Sequence, residues 1–328
     1  MLNTIIDGKF SHGRILFLAP MEGITNHVYR ELASRYMQFD VISTEFVRLS
    51  GGRFNPKQIR DEIQAFDNAL LSVQLMGDDP RLLAETVPYF EELGADIIDL
   101  NLGCPSTKVN RKGCGAAMLT DIPLLAEVLS AIRKNCTVLF SCKMRAGWDN
   151  PDSAIQVAKI IEENGADFLT IHPRTRQQLY DGSANWNIIA AVNESLRIPV
   201  VGNGDIFTPE HASDLINLSN CSGLMLGRGV LNNPFLSLQL NDFLSNGSYQ
   251  HYDWDRYLAF YTEFIERMKL AGLPDRAILA KLKEHFSYFL RWAKHPELWD
   301  QFKHCQTLND GIQLFNDVFN KIEFMKIA

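Results

Sequence analysis

Residues 92–103 read ELGADIIDLNLG, and residues 163–174 read ENGADFLTIHPR. In both, an acidic, helix-like stretch meets a glycine, which can stop a helix in a left-handed turn. Ala-Asp follows, and then a run rich in β-formers that does not alternate with polar residues. A continuous apolar run of this length suits a parallel strand buried on both faces. The shared wording therefore marks one helix-to-strand junction used twice.

Six more apolar runs accompany these two. In chain order the eight are ILFLAP from Ile15, FDVISTEF from Phe39, LLSVQLMG from Leu70, ADIIDLNLG from Ala95, TVLFSCKMR from Thr137, ADFLTIHPR from Ala166, IPVVGNGD from Ile198 and CSGLMLGRG from Cys221. Most of the segments between them read as amphipathic helices. From Arg81 to Leu93, for example, Leu82, Leu83, Val87, Phe90 and Leu93 fall close to helical spacing, after a starter in which Pro80 suits the first turn. Eight βα units predict an α/β chain folded as a closed (β/α)8 TIM barrel. No G-x-G-x-x-G follows the first run, which argues against an open doubly wound sheet. The barrel is expected over residues 1–240. SNGSYQHYD, from Ser245, reads as a linker. Helical patterns from Trp254 onward predict a C-terminal all-helical domain over 241–328.

Composition narrows the class. The apolar and charged fractions are those of a soluble globular protein. No apolar run approaches the roughly 20 residues that span a bilayer, so no membrane association is expected. The N-terminus lacks the basic start and apolar core of a signal peptide. Six scattered cysteines without C-x-x-C fit a reducing cytoplasm. No His/Cys cluster has metal-ligand spacing, so no metal site is expected. The net charge of -7 taken alone argues against a nucleic-acid partner, although a local basic patch matters more than the total.

In such barrels the chemistry gathers at the C-terminal ends of the strands. The first run ends Pro20-Met21-Glu22, the second reaches Arg48, and the third offers Gln74. The fourth carries Asn101 and Cys104, the fifth Lys143 and Arg145, and the sixth His172. The seventh ends Asn203-Gly204-Asp205 and the eighth Gly227-Arg228. The last two loops of a barrel often bind phosphate, glycines letting backbone N–H groups approach and arginine meeting the anion bidentately. A phosphorylated cofactor is expected there. Lys143 reads two ways: as a Schiff-base lysine, or as a fixed cation beside an electron-rich cofactor ring.

Cys104 lies between Gly103 and Pro105, at a bend that presents its thiol. With a reference pKa of about 8.5, such a thiol is mostly protonated at neutral pH and can donate a proton without activation. A general acid is the preferred role. Cys114 is a weaker second candidate, and Cys136, Cys142 and Cys221 read as buried small hydrophobes.

Together APMEGITNHVYR, TEFV, VQLMG, DLNLGCPSTKVNRKGCGAAML, KMRAGW, HPRTRQQLYDG, PVVGNGDI and LMLGRG resemble the tRNA-dihydrouridine synthases. The matching order runs from about Leu16 to Leu231, and the longest piece, from Asp99, is the most specific. The resemblance implies an FMN enzyme that reduces the C5–C6 bond of a tRNA uridine, with NADPH as reductant. It implies that Pro20, Met21, Glu22, Gln74, Lys143, His172, Asn203, Gly204, Asp205, Gly227 and Arg228 hold FMN. It implies that Asn101 and Arg145 hold the uracil, and that hydride reaches C6 while Cys104 protonates C5. The target base would have to leave the tRNA stack. TEFVR, with Arg48, is similar to the bacterial branch acting on uridine 16, with uridine 20 as the alternative. Between Arg267 and Lys303 eight Lys/Arg face four Asp/Glu, and Lys281, Lys283 and Arg291 are expected to meet tRNA. Lys108, Arg111 and Lys112 could meet phosphates beside the flipped base. A monomer is expected. A flavin reductase of a free pyrimidine, a Schiff-base lyase and a non-catalytic tRNA-binding protein remain the competing readings.

Overall fold

The computed structural model describes residues 14–49, 56–60 and 62–325, and the N-terminal segment read above lies outside them. Among the described residues one parallel sheet has nine strands: β1 (Ile15–Leu18), β2 (Val41–Ser43), β3 (Val47–Leu49), β4 (Leu70–Gly77), β5 (Ile97–Leu102), β6 (Leu139–Arg145), β7 (Phe168–His172), β8 (Val200–Asn203) and β9 (Gly223–Leu226). β1 pairs with both β2 and β9, and β2 pairs with β4, so eight strands close into the expected barrel. β4 and β5 are buried at every position, as their unbroken apolar runs require.

The inward-facing positions explain where the site forms. Ile15, Phe17, Val41, Leu70, Ile97, Phe168, Val201 and Met225 pack together as an apolar plug. Moving toward the C-terminal ends in steps of two, Ile97 gives way to Asp99 and Asn101. Likewise Leu139 gives way to Ser141, Lys143 and Arg145, and Phe168 to Thr170 and His172. The interior thus turns from oil to polar groups along the strand direction.

FDVISTEF does not form one strand. Ser43 pairs with Ser72 and Val47 with Leu75, so three residues of one chain face two of the other. This is a bulge of one residue. Thr44 sustains the gap: its N–H donates to the Ser72 carbonyl at 2.9 Å, and its hydroxyl accepts from the Gln74 N–H at 3.1 Å. The extra residue reverses the alternation, so Arg48 pairs with inward-facing Met76 and shares its face.

The chain divides into two compact units. The first takes in the described residues up to His27, with Phe39–Ile206 and Glu210–Gly227. The second contains Val28–Gln38, Phe207–Pro209 and the described residues from Arg228 on. The boundary expected at 240/241 falls inside the helix Leu236–Asn246, where Leu236 and Leu240 are buried and Gly247, at φ 72°, supplies the stop. The packing break comes instead at Gly227–Arg228. Within the second unit, Trp254–Leu270 and Asp275–Trp292 pack through aromatic residues, including Tyr261, Phe286 and Phe289. Tyr29 joins them, edge-on to Phe264.

Gly77 sits where β3 lies on β4, and a Cβ there would collide with the Leu49 carbonyl oxygen. Gly77→Ala should cost about 1–3 kcal/mol in urea denaturation, as overpacking of backbone does. Unchanged stability would mean that the bulged strand gives way freely.

Candidate active site

Cys104 stands just beyond β5, half-buried. Asn101 builds the bend that holds it: its side-chain oxygen accepts the N–H groups of Gly103 (3.0 Å) and Cys104 (2.9 Å). The Asn101 amide nitrogen donates to Gln74 Oε1 (2.7 Å), and Gln74 Nε2 donates to Asp99 Oδ2 (2.7 Å). The Ser141 hydroxyl donates to the other Asp99 oxygen (2.6 Å). Burial raises the Asp99 pKa, opposed by these two hydrogen bonds and by Lys143. On the far side of the bend, Asn110 Nδ2 donates to the carbonyls of Cys104 and Cys114, both at 3.0 Å. Gly115, at φ 63°, lies so close that a Cβ there would stand 3.0 Å from the Cys104 Cβ.

The surroundings keep the thiol protonated. Burial raises the Cys104 pKa, and Glu22 acts in the same direction. The Ser106 backbone, Arg48 and Arg145 pull against them. Glu22 and Arg48 therefore act on one thiol from the loop after β1 and from the bulged strand. Phe46, Met76, Val109 and Cys114 pack beside Cys104. Cys114 itself is buried, and burial followed by Asp78 pushes its thiol up to about 12.

Lys143 lies deeper in the mouth, donating to Asn203 Oδ1 at 3.1 Å, while Asn203 Nδ2 donates to the Met225 carbonyl. Burial, followed by the Arg145 charge, lowers the Lys143 pKa to about 8. An anionic or electron-rich group beside it would favour its charged form. Arg145 donates from Nε to the Gly103 carbonyl (2.9 Å) and from Nη1 to the carbonyls of Thr175 and Leu179. It thereby joins the Cys104 bend to the loop after β7, with the Tyr180 ring 5.5 Å from its guanidinium carbon. Tyr180 is 54% exposed, an aromatic face offered to a ligand.

His172 is buried and approaches Gly204 closely: a Cβ at Gly204, where φ is 122°, would lie 2.7 Å from its ring. The Asp205 carboxylate is held bidentately by buried Arg174, at 3.0 and 2.6 Å. Gly227 stands next to Ala19 and Met21, and half-buried Pro20 and exposed Glu22 continue that loop.

Gln74, Asn101, Lys143, Arg145, His172, Asn203 and Gly204 thus converge on one mouth with Cys104. Glu22 and Arg48 act on the same thiol, whereas Arg228, Lys281, Lys283 and Arg291 belong to the second unit. Arg228 opens the short helix Arg228–Asn232 in the second unit, 5.8 Å from the Phe207 ring. In the second unit Lys283 is tied to the Cys305 carbonyl at 2.6 Å, whereas Arg291 is exposed and Lys281 half-buried. Lys108, Arg111 and Lys112 are all exposed on the first unit. The sequence reading missed Asp99 and Tyr180, and it placed Arg174 at the sixth strand end without giving it a role. Asp99 was findable, lying two residues from Asn101. Tyr180 carries no signal short of the loop's path. Among the described residues no cluster of three His, Cys, Asp or Glu could hold a metal ion, and no helix is long and apolar enough to cross a membrane.

A family model described as dihydrouridine synthase (Dus) matches residues 17–323. The chain belongs to this family. It is 37% identical over 252 residues to tRNA-dihydrouridine synthase B of Pseudomonas aeruginosa PAO1, covering 76% of this chain and 75% of that one. It is 32% identical over 289 residues to the tRNA-dihydrouridine(16) synthase of Pseudomonas putida KT2440, covering 85% and 88%. Among solved structures, histamine dehydrogenase from Rhizobium sp. 4-9 shares the fold, with a TM-score of 0.56 and 15% identity. The match covers 73% of this chain and 48% of that one. Dihydrouridine synthases are flavin oxidoreductases, and the mouth fits a flavin on its own terms. It offers amide donors and acceptors, a half-buried ammonium that gains from a negative neighbour, and a glycine whose missing Cβ leaves a cradle beside His172.

Iodoacetamide should alkylate Cys104 at pH 7 more slowly than a free cysteine, with the rate still rising above the ordinary pKa of about 8.5. Glu22→Gln should move that profile to lower pH and Arg48→Ala to higher pH, read by mass spectrometry of the Cys104 peptide. Superimposable profiles would contradict the electrostatic account.

Proposed function

We propose that the protein reduces the C5–C6 bond of uridine 16 in tRNA, using FMN recharged by NADPH, with Cys104 as the general acid. The observation that carries the chemistry is the half-buried thiol held by Asn101 at the barrel mouth, where burial raises its pKa. A thiol in that state gives a proton to a carbon gaining negative charge. Position 16 is favoured by the extent of the likeness, because the dihydrouridine(16) synthase of P. putida aligns over 85% of the chain.

FMN when bound supplies the hydride for C6. Gln74, Lys143, His172 and Asn203 hold the ring and its chain. Pro20, Met21 and Glu22 line one side, and the backbone at Gly204, Asp205 and Gly227 takes the phosphate. Arg228 is assigned to the phosphate by its place in the chain. The Asp205 carboxylate is engaged by Arg174, so its contribution is backbone and loop shape. Lys143 sets a positive charge against the reduced ring. Asn101 and Arg145 hold the uracil edge, and Tyr180 gives the flipped base a face to stack on. Asn101 already spends its oxygen on two backbone N–H groups, so it meets the base through its remaining amide hydrogen. Lys108, Arg111, Lys112 and Arg48 meet phosphates around the extruded nucleotide. The helical unit adds Lys281 and Arg291, and Lys283 after it leaves the Cys305 carbonyl. These local charges outweigh the net -7 where RNA lies. The enzyme works as a cytoplasmic monomer.

With unmodified tRNA, NADPH and the holoenzyme, mass-spectrometric mapping should find dihydrouridine at position 16. Its appearance at position 20 instead, or nowhere, would overturn the assignment. Cys104→Ala should keep flavin and tRNA binding while losing roughly 100- to 10,000-fold in rate, the usual worth of a general acid. Full activity in that variant would remove Cys104 from the mechanism.

A further inference from the structure

We infer that Arg174 is a positioning residue that sets the tautomer of His172. Arg174 Nη1 lies 3.3 Å from His172 Nε2, and both side chains are buried. A guanidinium has N–H donors and no acceptor, so the imidazole nitrogen facing it must accept. His172 Nε2 therefore carries no proton, and the ring proton resides on Nδ1.

Arg174 cannot turn away to relax this demand. Its Nη1 and Nη2 grip both oxygens of Asp205, Nη2 also donates to the Gly182 carbonyl at 2.5 Å, and Nε donates to the Asp181 carbonyl at 3.2 Å. Asp205 Oδ2 further accepts the Ala184 N–H at 2.7 Å. One ion pair, buried on its arginine side, thus fastens the loop that carries Tyr180 and aims a fixed cation at His172. The cation also opposes a second proton on the ring, since protonating Nε2 would set two donors and two positive charges face to face. The charged and titratable side chains near the imidazole include Arg174 on its own strand end, Asp205 after β8, Tyr180 with its ring centroid 6.4 Å away, and Arg145 on β6, whose backbone pairs with His172.

The importance of the tautomer for the cofactor rests on the reading of His172 as a flavin ligand. A neutral ring with the proton on Nδ1 offers one defined donor, and a mixture of tautomers would offer it only part of the time.

The test is nitrogen NMR on holoenzyme labelled at histidine, with the His172 signal assigned by its loss in His172→Gln. The wild type should show Nδ1 in the protonated range and Nε2 in the unprotonated range from pH 6 to 9. Arg174→Met alone would strand the Asp205 charge, so Arg174→Met/Asp205→Asn is compared, its fold checked by circular dichroism. In that variant an Nε2–H population, or a ring protonated on both nitrogens at pH 6, should appear. Flavin should bind roughly tenfold more weakly, the equivalent of one lost hydrogen bond. A wild-type ring protonated at Nε2, or a variant whose tautomer and pH response match wild type, would overturn the inference. These nitrogen shifts do not depend on turnover, so they separate this claim from the assignment of the reaction. Loss of the tautomer change leaves the reaction standing, and a failed reaction leaves the tautomer measurable.

Discussion

The side chain of Asn101 faces two ways, and the site depends on that. Its oxygen gathers the N–H groups of Gly103 and Cys104, and its nitrogen leans on Gln74, which leans on Asp99. The direction of this chain is set at both ends. Backbone N–H groups can only donate, and a carboxylate accepts. Each amide between them has one orientation that satisfies its neighbours. Inside a barrel an unmatched polar group costs about 1–3 kcal/mol, so the network is held as one unit. The bend carrying the thiol is therefore anchored from below, and Arg145 ties it sideways to the loop after β7.

The same barrel divides its labour along one axis. The apolar plug around Phe17 and Phe168, their rings 5.6 Å apart, closes the bottom and supplies burial. Polar groups two and four residues further along β5, β6 and β7 then stand in a half-dry mouth, where charges interact more strongly than in water. That burial lowers the Lys143 pKa and raises that of Cys104. One environment thus yields an ammonium that welcomes a negative neighbour and a thiol that keeps its proton. A Schiff-base role for Lys143 would also use a lowered pKa; the cation reading is the one that the proposed flavin chemistry uses.

Much of this was legible in the sequence. Continuous apolar runs identified the barrel, and the polar residues that end them pointed to one mouth of it. Gln74, Asn101, Cys104, Lys143, Arg145, His172 and Gly204 do share one mouth. What the sequence hid depends on geometry. The bulge at Thr44–Phe46 follows from a side chain replacing a ladder partner, and without it the alternation would aim Arg48 away from Cys104. The break at Gly227–Arg228 was obscured because the helix Leu236–Asn246 runs straight through the expected boundary. Asp205 was read as holding FMN and Lys283 as meeting tRNA, and the structure shows Arg174 and the Cys305 carbonyl engaging their side chains. Charge alone cannot reveal such partners when they lie 31 and 22 residues away.

The central claim is that this mouth passes electrons from a nicotinamide cofactor through a flavin to a tRNA uridine. An anaerobic absorption titration of the purified protein tests it most directly. NADPH should bleach visible flavin bands, and unmodified tRNA added afterwards should restore them, with one dihydrouridine formed per flavin reoxidised. A colourless protein that FMN cannot reconstitute, or bleached bands that tRNA leaves unchanged, would contradict the account.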